Sequence, residues 1–196
     1  MRDNDIRAGA RTDERGGLLL ELVVVTAVVG ILSLAIGEMT VALIRFERHE
    51  ALTAETQRRA ATGIESIREA AKGANAVVTN QTVNGQTYVS GTSTVAFALP
   101  VVNSGGTILA GNDYIGFRRD AADPTLLLQD IQAAAGSVRR TGTFTIASFV
   151  NAFRLGYNTS TPIEASAIKV YLETGETVGS STARFALSTW VLLENK

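Results

Sequence analysis

The chain has 196 residues, 45% of them hydrophobic and 19% charged, with a formal net charge of −1. So even a balance provides no global field to draw the protein to nucleic acid or anionic lipid. With no cysteine and a single histidine, disulfide and thiolate chemistry are excluded and a Cys/His zinc site cannot be assembled.

Residues 1–16 hold four arginines and four acids and show no apolar period, so this segment reads as a disordered polar leader. Residues 18–39 follow as an apolar run whose only charges are Glu21 and Glu38. As a helix it would rise about 33 Å, enough to cross a bilayer core of roughly 30 Å. The arginines precede it, which favours a cytoplasmic location for this end and an outward-facing remainder. The run is too long, and lacks the small-residue cleavage site, for an ordinary secretory signal. Glu21 stands out, because a carboxylate within an apolar span costs a few kcal/mol and calls for a partner. A cut between Gly16 and Gly17 would create a cationic α-amine one helical turn before Glu21, on the same chain or a neighbouring copy.

Arg15-Gly16, then Gly17-Leu18-Leu19-Leu20-Glu21, then a Val/Leu/Ile/Ala run resembles the N-terminal signal of type IV prepilins and type II secretion pseudopilins. The resemblance covers about the first 40 residues. It implies that Gly16 is the last leader residue and that a prepilin peptidase cuts after it. Gly17 then becomes the N-methylated N-terminus, and Glu21 is the glutamate used in filament assembly. The first mature residue is glycine where many members have an aromatic or methionine. Gly37-Glu38 stands where many have a proline, so a proline kink is not expected.

Beyond Met39 the helical period continues. Ala42, Phe46, His49, Thr53, Thr56, Ala60, Ile64, Ile67 and Ala71 fall on one stripe at 100° per residue, and no proline occurs before Pro100. One helix is therefore expected over 18–72, stopped by Gly73 and Asn75. His49 is expected as a packed or rim imidazole. Gly30 and Gly37 share a face where helices could approach closely.

From residue 76 the period changes to two. Strands are expected at 76–79 and 86–90, joined around Asn84-Gly85, a strong hairpin signal. Further strands are expected at 94–99, ended by Pro100, at 114–119, 126–131, 149–157 and 167–173, and at 185–193 with Trp190 in the core. Segment 133–143 reads as a surface connection. One face of these strands needs covering, and the first helix is the only long amphipathic element available. The expected fold class is α+β: a long N-terminal helix, transmembrane in its first half and amphipathic in its second, packed on an antiparallel β-sheet domain. The domain reading is 1–16 leader, 17–39 transmembrane and assembly segment, 40–74 amphipathic helix, 75–196 β-sheet head.

Chemistry in the head is sparse. Asn112, Asp113, Asp120 and Asp123 could offer oxygens to calcium, but they lack EF-hand spacing and suit turns. Arg118-Arg119 and Arg139-Arg140 lack aromatic interleaving and argue only weakly for DNA. No serine is accompanied by a histidine with an acidic orienter. The expectation is a non-enzyme without cofactor or metal. It would be a pilin or pseudopilin subunit of a bacterial inner membrane, single-pass, with its head extracytoplasmic and entering a pilus or pseudopilus after assembly. Its partners would be copies of itself or other pilins, the prepilin peptidase, inner-membrane assembly machinery and the lipid bilayer, and nucleic acid is not expected. The alternatives are a membrane-anchored binding domain that never polymerises and a pilin-like DNA-uptake component.

Overall fold

A computed structural model describes residues 17–179 and 181–194 in full and, in addition, the backbone of 5–16. The chain divides into two compact units, Met1–Arg48 and His49–Lys196. Helix α1 runs Asp5–Lys72, beginning upstream of the expected residue 18. The arginines, alanines and Glu14 of the polar segment are good helix formers, and no proline interrupts them.

In the first unit, the apolar run is exposed along its length. In the second, the helix packs from Thr56 onward. Thr56, Ala60, Ile64, Ile67 and Ala71 of the expected stripe are buried, and Gly63 and Ala70 join them. Ala42, Phe46 and His49 are exposed, contrary to the packed or rim placement expected for His49. The period alone carries the stripe past the point where the sheets cover it. At the other end the Asn75 N–H donates to the Ala98 carbonyl at 2.8 Å, which passes the chain directly from helix to sheet.

Ten strands follow. β1 (Ala76–Val78), β4 (Thr94–Val102), β5 (Ile108–Arg119), β6 (Leu127–Gln132) and β7 (Gly142–Ala147) form an antiparallel sheet in that order. β8 (Val150–Tyr157), β9 (Ala167–Val178) and β10 (Ser181–Leu192) form a second, ordered β10-β9-β8. β2 (Asn80–Val83) and β3 (Gln86–Val89) make a separate hairpin. Its turn has Asn84 at φ 49° and Gly85 at φ 78°, the two left-handed residues of a type I′ turn. The turn is the one expected, but the strand facing 86–89 is 80–83, because β1 pairs with β4 instead. β4 runs through Pro100 rather than ending there. A register shift between Pro100 and Val101 absorbs the missing N–H. β7 occupies part of the expected connection.

The helix and both larger sheets share one core. Ile64, Ile67 and Ala71 meet Phe97, Phe117 and Leu127 of the first sheet and Phe153, Ile168 and Leu172 of the second. A Cβ on Gly63 would come within 2.8 Å of the Leu172 side chain, so glycine there lets the helix lie close to the sheet. Polar groups fix the same junction. The buried Thr174 hydroxyl donates to the Thr56 carbonyl at 2.8 Å. Arg59 bridges Glu176 at 2.6 Å and Glu55 at 2.9 Å and lies over the Phe149 ring. The hydrogen bond from Arg58, with help from Arg59, lowers the Glu55 pKa to about 2.

On its other face the five-stranded sheet is capped by the β2–β3 hairpin. Tyr88 lies flat over Gly116, where any Cβ would overlap its ring, in a small cluster with Val83 and Ala96. Its hydroxyl donates to the fully buried Asp130 at 2.5 Å. Asp130 also accepts from Arg118 at 2.8 Å and from the Thr143 hydroxyl. Burial, and then the bond to Asp130, push the Tyr88 pKa far up.

Candidate membrane-spanning and assembly segment

α1 contains one stretch long and apolar enough to cross a membrane, with a mean hydropathy of 2.6. The backbone satisfies its own hydrogen bonds by helix formation, as a bilayer requires. The hydroxyls within the run do likewise. Thr26 donates to the Leu22 carbonyl at 2.8 Å and Ser33 to the Val29 carbonyl at 2.8 Å. Thr40, just past it, donates to the Ile36 carbonyl at 2.8 Å. Bonds of this kind to the preceding turn leave no hydroxyl exposed without a partner.

The carboxylates differ. Neither Glu21 nor Glu38 forms an ion pair or hydrogen bond among the described residues. An unpaired carboxylate in an apolar span requires a partner from elsewhere. Gly17 precedes Glu21 by four helical residues, an axial rise of about 6 Å. Gly16 lies outside the fully described residues. Gly30 and Gly37 have open space where a Cβ would stand, and Gly37 opens a shallow notch flanked by Leu34, Val41 and Arg45.

The head residues singled out from sequence are mostly taken up by structure. Asp113 and Asp120 bracket a run of β5 on the order of 20 Å long, so the four oxygen-bearing residues are not brought together. Asp113 is fully buried and accepts from Arg139 at 2.6 Å, from the Ser137 hydroxyl at 2.7 Å and from the Ala134 N–H at 2.7 Å. Asp123 caps its own turn through Thr125, and Asp120 does so through Ala122. Of the four arginines, Arg118 is held by Asp130, Arg119 by the Pro124 and Val150 carbonyls, and Arg139 by Asp113 and the Pro100 carbonyl. Only Arg140 stands exposed without such a bond. Trp190 is 54% exposed on the outer face of β10, not in the core.

Sequence reading did not anticipate the buried aspartates. A single acid inside an otherwise strand-like run, as in Leu127-Leu128-Gln129-Asp130-Ile131, was the available signal. Asp113 has a pH consequence. Burial opposes its ionisation, but Ser137, Ala134 and Arg139 outweigh that and lower its pKa below 3.8. Because the folded-state value is depressed, its stabilisation is fully present above the ordinary value and is lost as pH falls through the folded one. Melting temperatures measured downward from neutral pH should therefore fall as acid protonates this site. Asp113→Asn should be less stable at neutral pH and lose part of that acid dependence. An identical acid slope in the variant would remove Asp113 from the explanation.

No protein-family model matches the chain, and no curated protein matches it significantly.

Proposed function

We propose that this chain is a pilin-like filament subunit, either a pilin or a secretion pseudopilin. The single observation that carries the reading is Glu21. It is a carboxylate without a partner among the described residues, four residues beyond Gly17, near the start of the apolar run of α1 that follows Arg15-Gly16. In this reading the precursor sits in the bacterial cytoplasmic membrane with its head outside. A prepilin peptidase cuts between Gly16 and Gly17 and methylates the new amine. Glu21 of one subunit then neutralises the N-terminus of a neighbour in an apolar setting, where such a pair is strongest. The exposed span supplies the surface that the packed helices bury, and the head, with its own core, faces outward.

Intact mass and N-terminal sequencing of the protein from membranes of its native cell test processing. The expected chain begins at Gly17, one methyl heavier than the bare sequence. A chain still beginning at Met1 in cells with active prepilin peptidase would overturn the proposal and leave a non-polymerising membrane anchor. Glu21→Ala separates assembly from processing: cleavage should persist while the subunit disappears from sheared filaments. A Glu21→Ala protein that still enters filaments at normal levels would show that the carboxylate has another purpose.

A further inference from the structure

The outer face of the β8–β9–β10 sheet carries an arrangement that the filament reading does not use. Along β9 and β10 the inward positions Ile168, Val170, Leu172 and Val191 are buried in the core. The opposite parity therefore points outward, and it holds Trp190 and Tyr171 together with Lys169, Arg154 and Arg184. Register fixes their spacing. Trp190 stands directly opposite Lys169, and Arg154 directly opposite Tyr171, so each ring has a cation about 5 Å away at the Cβ level. The two rings are diagonal neighbours, about 7–8 Å apart. Ser188 faces Tyr171 on the β10 side and Gly156 faces Lys169 on the β8 side; Trp190 is exposed and Tyr171 half-buried.

None of these three cations forms an ion pair among the described residues. That contrasts with Arg118 and Arg139, whose charges are satisfied internally. The one acid on this part of the face, Glu173, accepts a hydrogen bond from the Tyr171 hydroxyl at 2.9 Å. The face thus pairs an exposed ring, Trp190, and a half-exposed one, Tyr171, with a surplus of positive charge on a chain that is otherwise nearly neutral. Among the described residues Leu192 is the only large aliphatic side chain beside them on this face, too little apolar surface for a membrane-docking patch.

The geometry points to single-stranded nucleic acid as the occupant of this face. Successive bases would stack on Trp190 and Tyr171, and the backbone phosphates would be met by Lys169, Arg154 and Arg184. Interleaved rings and cations are the arrangement by which sheet surfaces hold single strands without reading sequence. The inference rests on the head alone and is independent of whether the chain polymerises.

Trp190 is the sole tryptophan, so its fluorescence reports directly on the site. The test titrates fluorescein-labelled oligothymidylate, long enough for a site of roughly 4–16 nucleotides, into the full chain in a nonionic detergent. Saturable quenching of Trp190 is expected, with matching anisotropy. The affinity should fall with salt at a log–log slope of about −2, from ~0.7 per phosphate contact at three contacts. Trp190→Ala should weaken binding measured by anisotropy about 5- to 150-fold, the range of one stacked base. Lys169→Ala with Arg184→Ala should reduce the slope by more than one. Both sets of side chains point to solvent, so a far-UV spectrum unchanged from the parent confirms that the variants fold. Absence of quenching and of anisotropy change would overturn the inference. So would Trp190→Ala binding as tightly as the parent, or quenching by phosphatidylglycerol vesicles with none by oligothymidylate.

Discussion

Asp130→Ala should lower the stability of the head by about 3–5 kcal/mol, the range for stripping one partner from a buried charge pair. Besides the Thr143 hydroxyl, which also loses its acceptor, the loss has two separable parts. Arg118, only 18% exposed, keeps Asp120 at 3.8 Å as its remaining acidic neighbour. The Tyr88 hydroxyl, buried with its ring over Gly116, is left without its acceptor, which costs about 1–3 kcal/mol by itself. Urea denaturation of the detergent-solubilised chain measures the sum. With a slope near 2 kcal/mol per molar, the midpoint should fall by roughly 2 M. Adding Tyr88→Phe to Asp130→Ala removes the orphaned hydroxyl and should recover part of the loss, although Tyr88→Phe alone destabilises. That change of sign is the signature of a coupled pair. If the two substitutions simply add, the hairpin is held by ring packing and the Tyr88–Asp130 bond contributes little.

Phe117→Ala should cost a similar 3–5 kcal/mol by a different physical route. Phe117 lies on β5, one residue from Gly116 and therefore on the opposite face of the sheet. It is fully buried against the helix-side core and meets Phe97 edge to face, with ring centroids 6.0 Å apart. Alanine leaves a cavity between the sheet and the helix that neither rigid element can collapse to fill. Phe117→Leu retains most of the volume and should recover much of the stability. No substitution in the β2–β3 hairpin should rescue Phe117→Ala, because the hairpin lies across the sheet from it. Equal urea midpoints for Phe117→Ala and Phe117→Leu would mean that the site relaxes around the smaller side chain and that close packing there matters little.

The two faces of this sheet also show what the sequence could convey. The helix was legible because its period of 100° persists without a proline, and the turn because Asn84-Gly85 suits two left-handed residues. Periodicity could not say where cover begins and ends, so the expected stripe reaches back to Ala42 although packing starts near Thr56. β2 was missed because Asn80-Gln81-Thr82-Val83 is mostly polar. β7 was not read although Thr143, Phe144, Thr145 and Ile146 alternate as a strand should; the run is short and the strand largely exposed. Pro100 marks a bulge rather than an end, a distinction that depends on β5 lying alongside. Trp190 is the most instructive case. Phe185, Leu187, Val191 and Leu193 already set the inward phase of β10, and Trp190 has the opposite parity. Alternation placed it outside, and only the habit of burying a large ring placed it inside. At the apolar segment the position is reversed: Glu21 forms no ion pair or hydrogen bond among the described residues, so its spacing from Gly17 remains the clearest signal.

The attachment of helix to sheet near Thr56 and Arg59 sets the route by which mechanical load enters the head. Tension applied from the N-terminal end of α1 reaches these residues before it reaches the apolar contacts at Ile64 and Ile67. Both polar links, Thr174 to the Thr56 carbonyl and Glu176 to Arg59, lie on β9. β9 is the middle strand of its sheet and pairs with β10 over twelve residues without a register shift. The pull is therefore delivered to a strand held on both sides at Thr174 and by β10 at Glu176, whose hydrogen bonds to its neighbours share the load. With no cysteine available for a disulfide, tension applied to α1 would be met at the most extensively paired strand, and the β2–β3 hairpin stands outside that load path.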